Sequence, residues 1–320
     1  MIKLRDFIIP LWLLIVRKKK WKLHFIDLWC WADRNDLMIH ILKESLDKDN
    51  IKDFVPVVIN TGDSPKNKYF KLNVFAFTTS DEYYDRIIPD WTYDSWMECK
   101  IPKFEEITKD IIEAWKNQPN TNKIWRVWNF QTSNSRPILG ELWNKYPQYL
   151  EIKDSYVKNP NNKEYCTLPD LVKKYKYLID VEWNTYSARL KYLLFSGRPV
   201  FIQERKWKEY ALIWAIPFKD YIPVKNDFSD LIEKIEKYFN SDLINKIWKN
   251  WQKFAIKKLN KTKAYEYIYK EFINIAKQRI KFNNCKIILF VLIVLSKQIY
   301  QRIRGTTCFF IKKLFNYTNI

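Results

Sequence analysis

YKYLIDVEWNTYSARLKYLLFSGRPVF, residues 175–201, is the stretch that decides the fold. An apolar run, Tyr177–Val181, leads into a polar turn, and leucines then recur at helical spacing up to Phe195. Gly197 is typical of a helix end, and Val200–Ile202 has the composition of a short buried strand. The order strand, loop, helix and strand predicts a βαβ unit and therefore an α/β protein.

The loop inside this unit is polar and ends near an arginine. The side chains of Asn184, Thr185 and Ser187 are of types that can cap a helix, and Arg189 is expected one turn inside it. A guanidinium fork beside the exposed N–H groups of a helix end suits a phosphate. The alternative from the pattern alone is an ordinary α/β core element with a surface arginine.

Composition limits the function classes. With 320 residues and 47% hydrophobic content, the chain can fill two cores of ordinary size. It has only 4 glycines, and neither a GxGxxG nor a GxxxxGK phosphate loop occurs, so any phosphate must be held by other means. A formal charge of +20 with 17% aromatic residues indicates a polyanionic partner, a membrane surface or a phosphorylated ligand. The alternative is a compositional bias towards solvated lysine.

Cysteines and histidines are too few and too scattered for several kinds of chemistry. The five cysteines form no CxxC pair, which argues against a disulfide framework and against a zinc site. The two histidines, His24 and His40, have no second ligand one helical turn away, so His-based metal sites and Ser-His-Asp triads are not expected. If the chain is an enzyme, carboxylates must supply its acid or base chemistry.

Apolar stretches occur near both ends. Phe7–Val16 precedes the basic run Arg17–Lys20, the reverse of secretory-signal order, and Ile287–Leu295 lies between Lys286 and Lys297. Both are shorter than the roughly 20 residues of a spanning helix. The alternatives are an interfacial anchor on an anionic membrane and a buried element with a basic flank, of which we favour the second. We expect no cleavable signal peptide or full transmembrane span, and a cytoplasmic location or one peripheral to a membrane.

A carboxylate follows the clearest strand of the first half. Phe54–Asn60 is rich in β-branched residues and opens into the turn Thr61–Pro65, which contains Asp63. An aspartate at the carboxyl end of a strand in an α/β domain lies where active-site crevices form. The alternative is a residue that only caps the turn.

An aromatic loop and a linker complete the organisation. Ile87–Trp96 combines aromatic rings with carboxylates, a composition that holds sugars by stacking and hydrogen bonding, although the same residues could plug a domain edge. Asn117–Asn122 is the best linker candidate. We therefore predict a first domain over residues 1–120, a second over 121–278 and an apolar, basic tail over 279–320.

An ordered set of segments resembles glycosyltransferase family 90, the group of protein O-glucosyltransferases, O-xylosyltransferases and capsule-associated transferases. The segments are FVPVVINTGDSP (54–65), FTTSDEYYDRIIPDWTY (77–93), WRVWNFQTSNSRP (125–137), NTYSARLKYLLFSG (184–197) and DYIPVKNDFSDL (220–231). The resemblance covers residues 54–272. The last segment is the strongest match.

The resemblance implies a GT-B architecture, in which two Rossmann-like domains face each other across a cleft, with C-terminal helices. By the resemblance, the first domain carries the catalytic base, Asp63, and the acceptor side, and the second binds a UDP-sugar without an obligatory metal or other cofactor. The implied donor contacts are Asn184, Thr185, Tyr186, Ser187, Ala188, Arg189 and Arg136, with Arg126, Thr132 and Ser133 in the matching segment. The acceptor side would be shaped by Trp91, Tyr93, Trp96 and Asp81.

The resemblance implies an inverting glycosyltransferase that moves glucose or xylose from a UDP-sugar to a hydroxyl of a protein or glycan. Asp63 would take the acceptor proton, and Arg189 and Arg136 would stabilise the charge of the leaving UDP. The alternatives are a basic nucleic-acid-binding protein, which would show one continuous basic stripe, and a catalytically degenerate GT-B binding module. Nucleic acid is the less expected partner, and peripheral membrane association is left open.

Some residues depart from the family pattern. Arg126 is followed by Val127 where the family has glycine, which leaves the donor contacts there open. Asp220 stands where the family has histidine, and Gly62 replaces the arginine before the catalytic aspartate. Neither of these two changes removes the base or the phosphate ligands, but they predict an altered sugar preference or a reduced activity. The paired cysteines of secreted relatives are missing, which argues against an oxidising lumen.

Overall fold

The computed structural model of the protein describes residues 12–28, 34–47, 51–68, 73–95, 101, 103–128, 133–154, 167–239, 241–277 and 286–300. Within these residues, strands and helices form two α/β units that meet along a shared core. The predicted α/β class is therefore confirmed.

The first unit is built on a mixed sheet. Its elements are β1 (Leu13–Lys19), β2 (Lys22–Asp27), α1 (Arg34–Leu46), β3 (Phe54–Asn60), β4 (Val74–Ala76), β5 (Thr78–Thr79) and β6 (Arg86–Ile87). The strand order is β2-β1-β3-β4-β6, in which β1 is antiparallel to both neighbours and β3, β4 and β6 are parallel. β3 forms because its β-branched side chains pack on a pleated surface, and α1 covers the sheet with Met38, Ile41 and Leu42 at helical spacing.

The second unit is built on a parallel sheet. Its elements are α2 (Phe104–Trp115), β7 (Thr121–Trp128), α3 (Arg136–Lys145), β8 (Leu150–Asp154), α4 (Leu168–Lys174), β9 (Tyr175–Asp180), α5 (Leu190–Phe195), β10 (Val200–Gln203), β11 (Lys208–Glu209) and β12 (Ile222–Val224). The strand order is β12-β10-β9-β7-β8, and every pair is parallel. Strands β9 and β10 flank α5 and pair directly, which confirms the predicted βαβ unit.

Four helices follow and connect the units. They are α6 (Leu231–Tyr238), α7 (Asp242–Lys258), α8 (Lys261–Lys277) and α9 (residues 286–300). The strands of the two sheets lie on either side of residue 120, but α8 packs on α1 and β3 of the first unit, while α7 packs on α5 of the second. Because α8 packs on the first unit, the predicted domain bounds separate the two sheets but do not separate all the helices. The domain bounds themselves stay a prediction.

The C-terminal helix α9 covers the outer face of the first sheet. Phe290 and Val294 are buried there against Leu13, Val58 and Val74. The favoured expectation of a buried element therefore holds for one face only, because other α9 side chains are exposed. Of the helices that the structure describes, none combines the length and the apolar character needed to cross a bilayer.

A two-stranded pairing joins the units directly. β11 of the second unit pairs antiparallel with β5 of the first, with Glu209 opposite Thr78 and Lys208 opposite Thr79. Beside it, one hydrophobic cluster contains residues of both units, among them Phe77 and Tyr192. The carboxyl ends of β3 and β9 consequently meet in space, although 120 residues separate them in the chain.

Candidate active site

The turn after β3 presents the carboxylate of Asp63. Asn60 braces this turn from both sides: its Oδ1 accepts from the Gly62 N–H (3.1 Å), and its Nδ2 donates to the Ser64 carbonyl (2.7 Å). A side chain at residue 62 would have its Cβ only 3.2 Å from Asn60 Oδ1, so glycine suits the close approach. The turn therefore holds Asp63 at the end of the strand, with 31% of its side chain exposed.

Two side chains from different units bind the Asp63 carboxylate. Arg34, at the start of α1, donates from Nη1 to Oδ1 at 2.8 Å, and Asn184, in the loop after β9, donates from Nδ2 to Oδ2 at 3.1 Å. The Thr185 hydroxyl donates to the Asp63 main-chain carbonyl. Asp63 thus lies at the junction of the two units. It contacts the loop of residues 181–189 between β9 and α5, which is the predicted donor loop.

Arg34 was not among the site residues predicted from the sequence. Its guanidinium lies over the Trp91 ring, 3.9 Å from the ring centroid, and 5.1 Å from the centroid of Trp12. This stacking and the ion pair fix the plane of the guanidinium. No local pattern could have identified it, because Arg34 and Asp63 are 29 residues apart and meet only when α1 packs on the sheet.

The donor loop differs from its predicted form. α5 begins at Leu190 and is only six residues long, so Arg189 precedes the helix and does not lie one turn inside it. No side chain caps the helix, because Ser187 instead donates to Asp180 Oδ1 at the end of β9 (2.7 Å) and Thr185 bonds to Asp63. The predicted capping roles of Asn184, Thr185 and Ser187 are therefore wrong.

Arg136 and Arg189 lie close together beside this loop. Arg136, the first residue of α3, is buried and donates from Nε (3.1 Å) and Nη2 (2.9 Å) to the Glu182 carbonyl. Burial, and then the nearby charge of Arg189, lower the pKa of Arg136 to about 10. The side chain of Arg189 forms no hydrogen bond or ion pair with the side chains that the structure describes. Two neighbouring cations of this kind favour an anionic ligand.

The other predicted donor residues are variously placed. Ser133 donates to Glu182 Oε1 (3.3 Å) and shares a hydrogen bond with Ser135. Arg126 lies in β7 opposite Ile152, and its side chain is not described. Tyr186 and Ala188 are buried, and Thr132 lies outside the described residues.

The predicted acceptor side is largely inside the molecule. Trp91 is 3% exposed beneath Arg34, and Tyr93 is 1% exposed between Phe104 and Tyr210. In this conformation neither ring offers an open face to a sugar. Asp81 is exposed and forms an ion pair with Lys208 across the β5–β11 junction, while Trp96 lies outside the described residues. Of the four predicted residues, only Asp81 has a described side chain that reaches solvent freely.

A second cation–carboxylate pair fastens α5 to the first unit. Lys191 Nζ donates to both oxygens of Asp90 (2.9 Å each) and to the Ala188 carbonyl (2.9 Å). The Tyr192 hydroxyl donates to the Thr92 carbonyl at 2.7 Å. Both ends of the donor loop are therefore attached to the first unit, at Asp63 and at Asp90. Lys191 was not among the residues predicted from the sequence to have a role.

A buried network lies behind the loop. Arg205 donates to Asp180 from two nitrogens (3.1 Å each) and also pairs with Glu209. Burial raises the pKa of Glu209 to about 7; Arg205 opposes this shift, and the neighbouring Asp180 carboxylate adds to it. One arginine thus binds two carboxylates, and its single positive charge offsets only one of them.

An open cleft of about 530 Å³ lies next to this network. It is lined by Glu182, Glu204, Arg205, Lys206, Trp207 and Asn226. Its volume falls within the range of small-molecule sites. Glu182, one of the lining residues, also accepts hydrogen bonds from Ser133 and Arg136, so it links the cleft to Arg136. Among the residues that the structure describes, no three His, Cys, Asp or Glu side chains gather to hold a metal ion.

Asp63 of the first unit is bound by the loop of the second unit that leads to Arg189, so a carboxylate and the segment that carries an arginine belong to the same junction between two α/β units. The chain belongs to glycosyl transferase family 90, whose model matches residues 49–286. The predicted family is therefore confirmed.

Named relatives agree with this family. Protein O-glucosyltransferase 2 of Danio rerio is 33% identical over 233 residues, which are 67% of this chain and 45% of the relative. Protein O-glucosyltransferase 1 is 28% identical in Rattus norvegicus (63% of this chain, 57% of the relative) and 28% in Homo sapiens (56% and 51%). The chain spans about half the length of these relatives.

Similarity to solved structures is low. A glycosyltransferase from Rickettsia africae ESF-5 is 11% identical, with 64% of each chain covered and a TM-score of 0.37. The strand order of the two sheets, and not this likeness, defines the fold. Two α/β units meeting at a shared site correspond to the predicted GT-B plan.

Proposed function

We propose that the chain is an inverting glycosyltransferase that moves glucose or xylose from a UDP-sugar to a hydroxyl group of a protein or glycan. The observation that carries the proposal is the contact of Asp63 with the donor loop, which leads within five residues to Arg189. This contact supports a single site that contains both the proposed base and the proposed phosphate ligands. The names of the relatives support glucose as donor sugar and protein as acceptor.

Asp63 is the proposed base. Arg34 and Asn184 each bind one carboxylate oxygen, and each oxygen retains a lone pair for an acceptor hydroxyl. The hydroxyl proton passes to Asp63 as the acceptor oxygen bonds to the anomeric carbon of the sugar. The bond from that carbon to the UDP oxygen breaks on the opposite face, and the configuration inverts.

The arginine pair is the proposed ligand of the diphosphate. Charge develops on UDP as it leaves, and Arg136 and Arg189 supply positive charge that is already in position. The nucleoside would occupy the 530 Å³ cleft, which opens beside Glu182. With two cations at this position, we expect transfer without a metal ion, and this expectation stays part of the proposal.

A donor panel tests the proposal. The purified full chain is incubated with UDP-glucose or UDP-xylose, with and without EDTA, and UDP release and sugar transfer are followed by mass spectrometry. Asp63→Asn keeps the size of the side chain and should lower turnover about 10²- to 10⁴-fold, the usual contribution of a general base. UDP binding, measured by calorimetry, should remain close to that of the wild type.

Two results would contradict the proposal. Equal turnover of the Asp63→Asn variant and the wild type would exclude Asp63 as the base. Binding of UDP without turnover of any donor would indicate a degenerate binding module. Arg189→Ala serves as the matched variant, because it should weaken UDP binding and leave Asp63 intact.

A further inference from the structure

Helix α9 is apolar around its whole circumference over residues 287–295. Its inward side chains, including Phe290 and Val294, pack on the first sheet. On the outward face Ile288, Leu289 and Leu292 are 58%, 47% and 54% exposed. Residues 286–300 contain no acidic side chain. Such a face is costly in water and marks an interaction surface.

The sheet face beside α9 continues as a basic surface. Leu13 and Ile15 of β1 pack against α9, and alternation along the strand puts Arg17 and Lys19 on the same face. On β2 the cross-strand partners Ile26, His24 and Lys22 lie opposite Ile15, Arg17 and Lys19. All of these except Leu13 and Ile15 are exposed. An apolar helix and a basic strand pair therefore share one side of the molecule.

The tip of this hairpin holds an exposed tryptophan. Lys20 and Trp21 form a two-residue turn with φ of 50° and 65°, a conformation that non-glycine residues adopt at an energetic cost. Their N–H groups donate to the Asp53 carboxylate at 2.8 and 3.2 Å, which fixes the turn. Trp21 is 66% exposed. The strained turn thus presents a large amphipathic ring beside lysines.

We propose that α9 and the β1–β2 hairpin together form a docking surface for an anionic lipid membrane. The outward face of α9 would lie in the interface with its axis parallel to the bilayer, Trp21 at the headgroup level, and Arg17, Lys19, Lys20 and Lys22 against lipid phosphates. Charge distinguishes this occupant from a second copy of the chain. A symmetric dimer through this surface would bring two basic hairpins together, whereas an anionic bilayer complements them.

Vesicle sedimentation tests the proposal with the full chain. Phosphatidylcholine vesicles are compared with vesicles that also contain phosphatidylserine, at low and high salt. We expect binding to the anionic vesicles that weakens as salt rises. Lys19→Gln, Lys20→Gln and Lys22→Gln combined should weaken binding about 100-fold, since each lysine near the surface contributes about fivefold.

Apolar variants separate the helix from the hairpin. Ile288→Glu with Leu292→Glu should abolish binding, because two carboxylates would enter the interface. Ile256→Glu is the matched control: Ile256 is 47% exposed on α7, which packs on the second unit, and binding should not change. Thermal unfolding followed by circular dichroism confirms that each variant is folded.

Several outcomes would overturn the proposal. These are no binding by the wild type, equal binding to neutral and anionic vesicles, or equal losses in the Ile256→Glu control. A concentration-dependent dimer that Ile288→Glu with Leu292→Glu abolishes, in a protein that does not bind vesicles, would assign the surface to a second copy of the chain. Because none of these measurements uses transfer activity, the result is independent of the proposed function.

Discussion

Two cation–carboxylate pairs lie on either side of one short turn, Asp90 to Tyr93, and they differ in exposure. In the Arg34–Asp63 pair the two side chains are 13% and 31% exposed, whereas in the Lys191–Asp90 pair they are 3% and 10% exposed. Each cation lies over a ring of the turn, Arg34 over Trp91 at 3.9 Å and Lys191 over Tyr93 at 5.0 Å. Both pairs therefore contact the same turn, but the Lys191–Asp90 pair is more deeply buried than the Arg34–Asp63 pair.

The difference in exposure separates the proposed catalytic carboxylate, Asp63, from a structural one, Asp90. Asp63 has lone pairs and exposed surface left for an acceptor. Both oxygens of Asp90 bind Lys191, and Oδ1 also accepts from the backbone and hydroxyl of Thr92. In water an ion pair contributes little to stability, but a buried charge that loses its partner is costly. Disrupting each pair should therefore give opposite results for stability and activity.

Removing the buried cation should have the largest effect. Lys191→Met keeps the length of the side chain but leaves Asp90 buried and unpaired, so the free energy of unfolding should fall by about 3–5 kcal/mol. Chemical denaturation measures this loss. Asp90→Asn combined with Lys191→Met removes both charges and should recover part of it. A loss below about 1 kcal/mol in the single variant would mean that the pair is solvated like a surface pair.

The protonation of Glu209 extends the comparison of the two pairs to a third buried carboxylate. Glu209 shares its cation, Arg205, with Asp180. Its pKa rises from 4.5 to about 7 on folding, mainly through burial. Between these values the folded state holds the proton more tightly than the unfolded state. The stability that comes from protonated Glu209 is therefore fully present below pH 4.5 and decreases as the pH rises towards about 7. Above that pH the free energy of unfolding is lower by up to about 3 kcal/mol.

Glu209→Gln tests this dependence. The amide cannot ionise, so the decrease in stability between pH 5 and 7 should become smaller when unfolding is measured across that range. Asp53→Asn is a useful control, because Asp53 is exposed and its pKa is lowered by the N–H groups of Lys20 and Trp21. An unchanged profile in Glu209→Gln would show that Arg205 keeps Glu209 ionised.

Local patterns were sufficient for the βαβ unit and the α/β class, whereas the GT-B architecture was predicted from the family resemblance. The Tyr177–Val181 run, the leucine spacing and Gly197 are contiguous signals, and the βαβ unit follows from them. A strand followed by a breaker turn is also a local signal, and it made Asp63 a candidate; its role as the base was predicted from the family resemblance. These signals come from residues that are adjacent in the chain, so they predict local secondary structure.

The remaining features depend on partners that are distant in sequence. The start of α5 was misplaced because Thr185 and Ser187 have bonding partners at Asp63 and Asp180 and do not cap the helix. Trp91 and Tyr93 were assigned to an acceptor surface, yet Arg34 and Lys191 lie over them. Tertiary packing decides such contacts, and a single sequence does not encode them at any fixed spacing.

The exposed pair should show the smallest change in stability and a selective change in rate. Arg34→Gln removes a partly exposed ion pair, so the free energy of unfolding should fall by no more than about 1 kcal/mol. If Arg34 orients the proposed base, kcat should fall about tenfold, or about 1.4 kcal/mol in the barrier, while the affinity for UDP stays unchanged. Arg34→Lys should restore the charge but only part of the rate, because an ammonium group lacks the planar fork that lies on Trp91. Full recovery of kcat by lysine would mean that charge alone acts on Asp63, and a loss of UDP affinity would place Arg34 on the donor side.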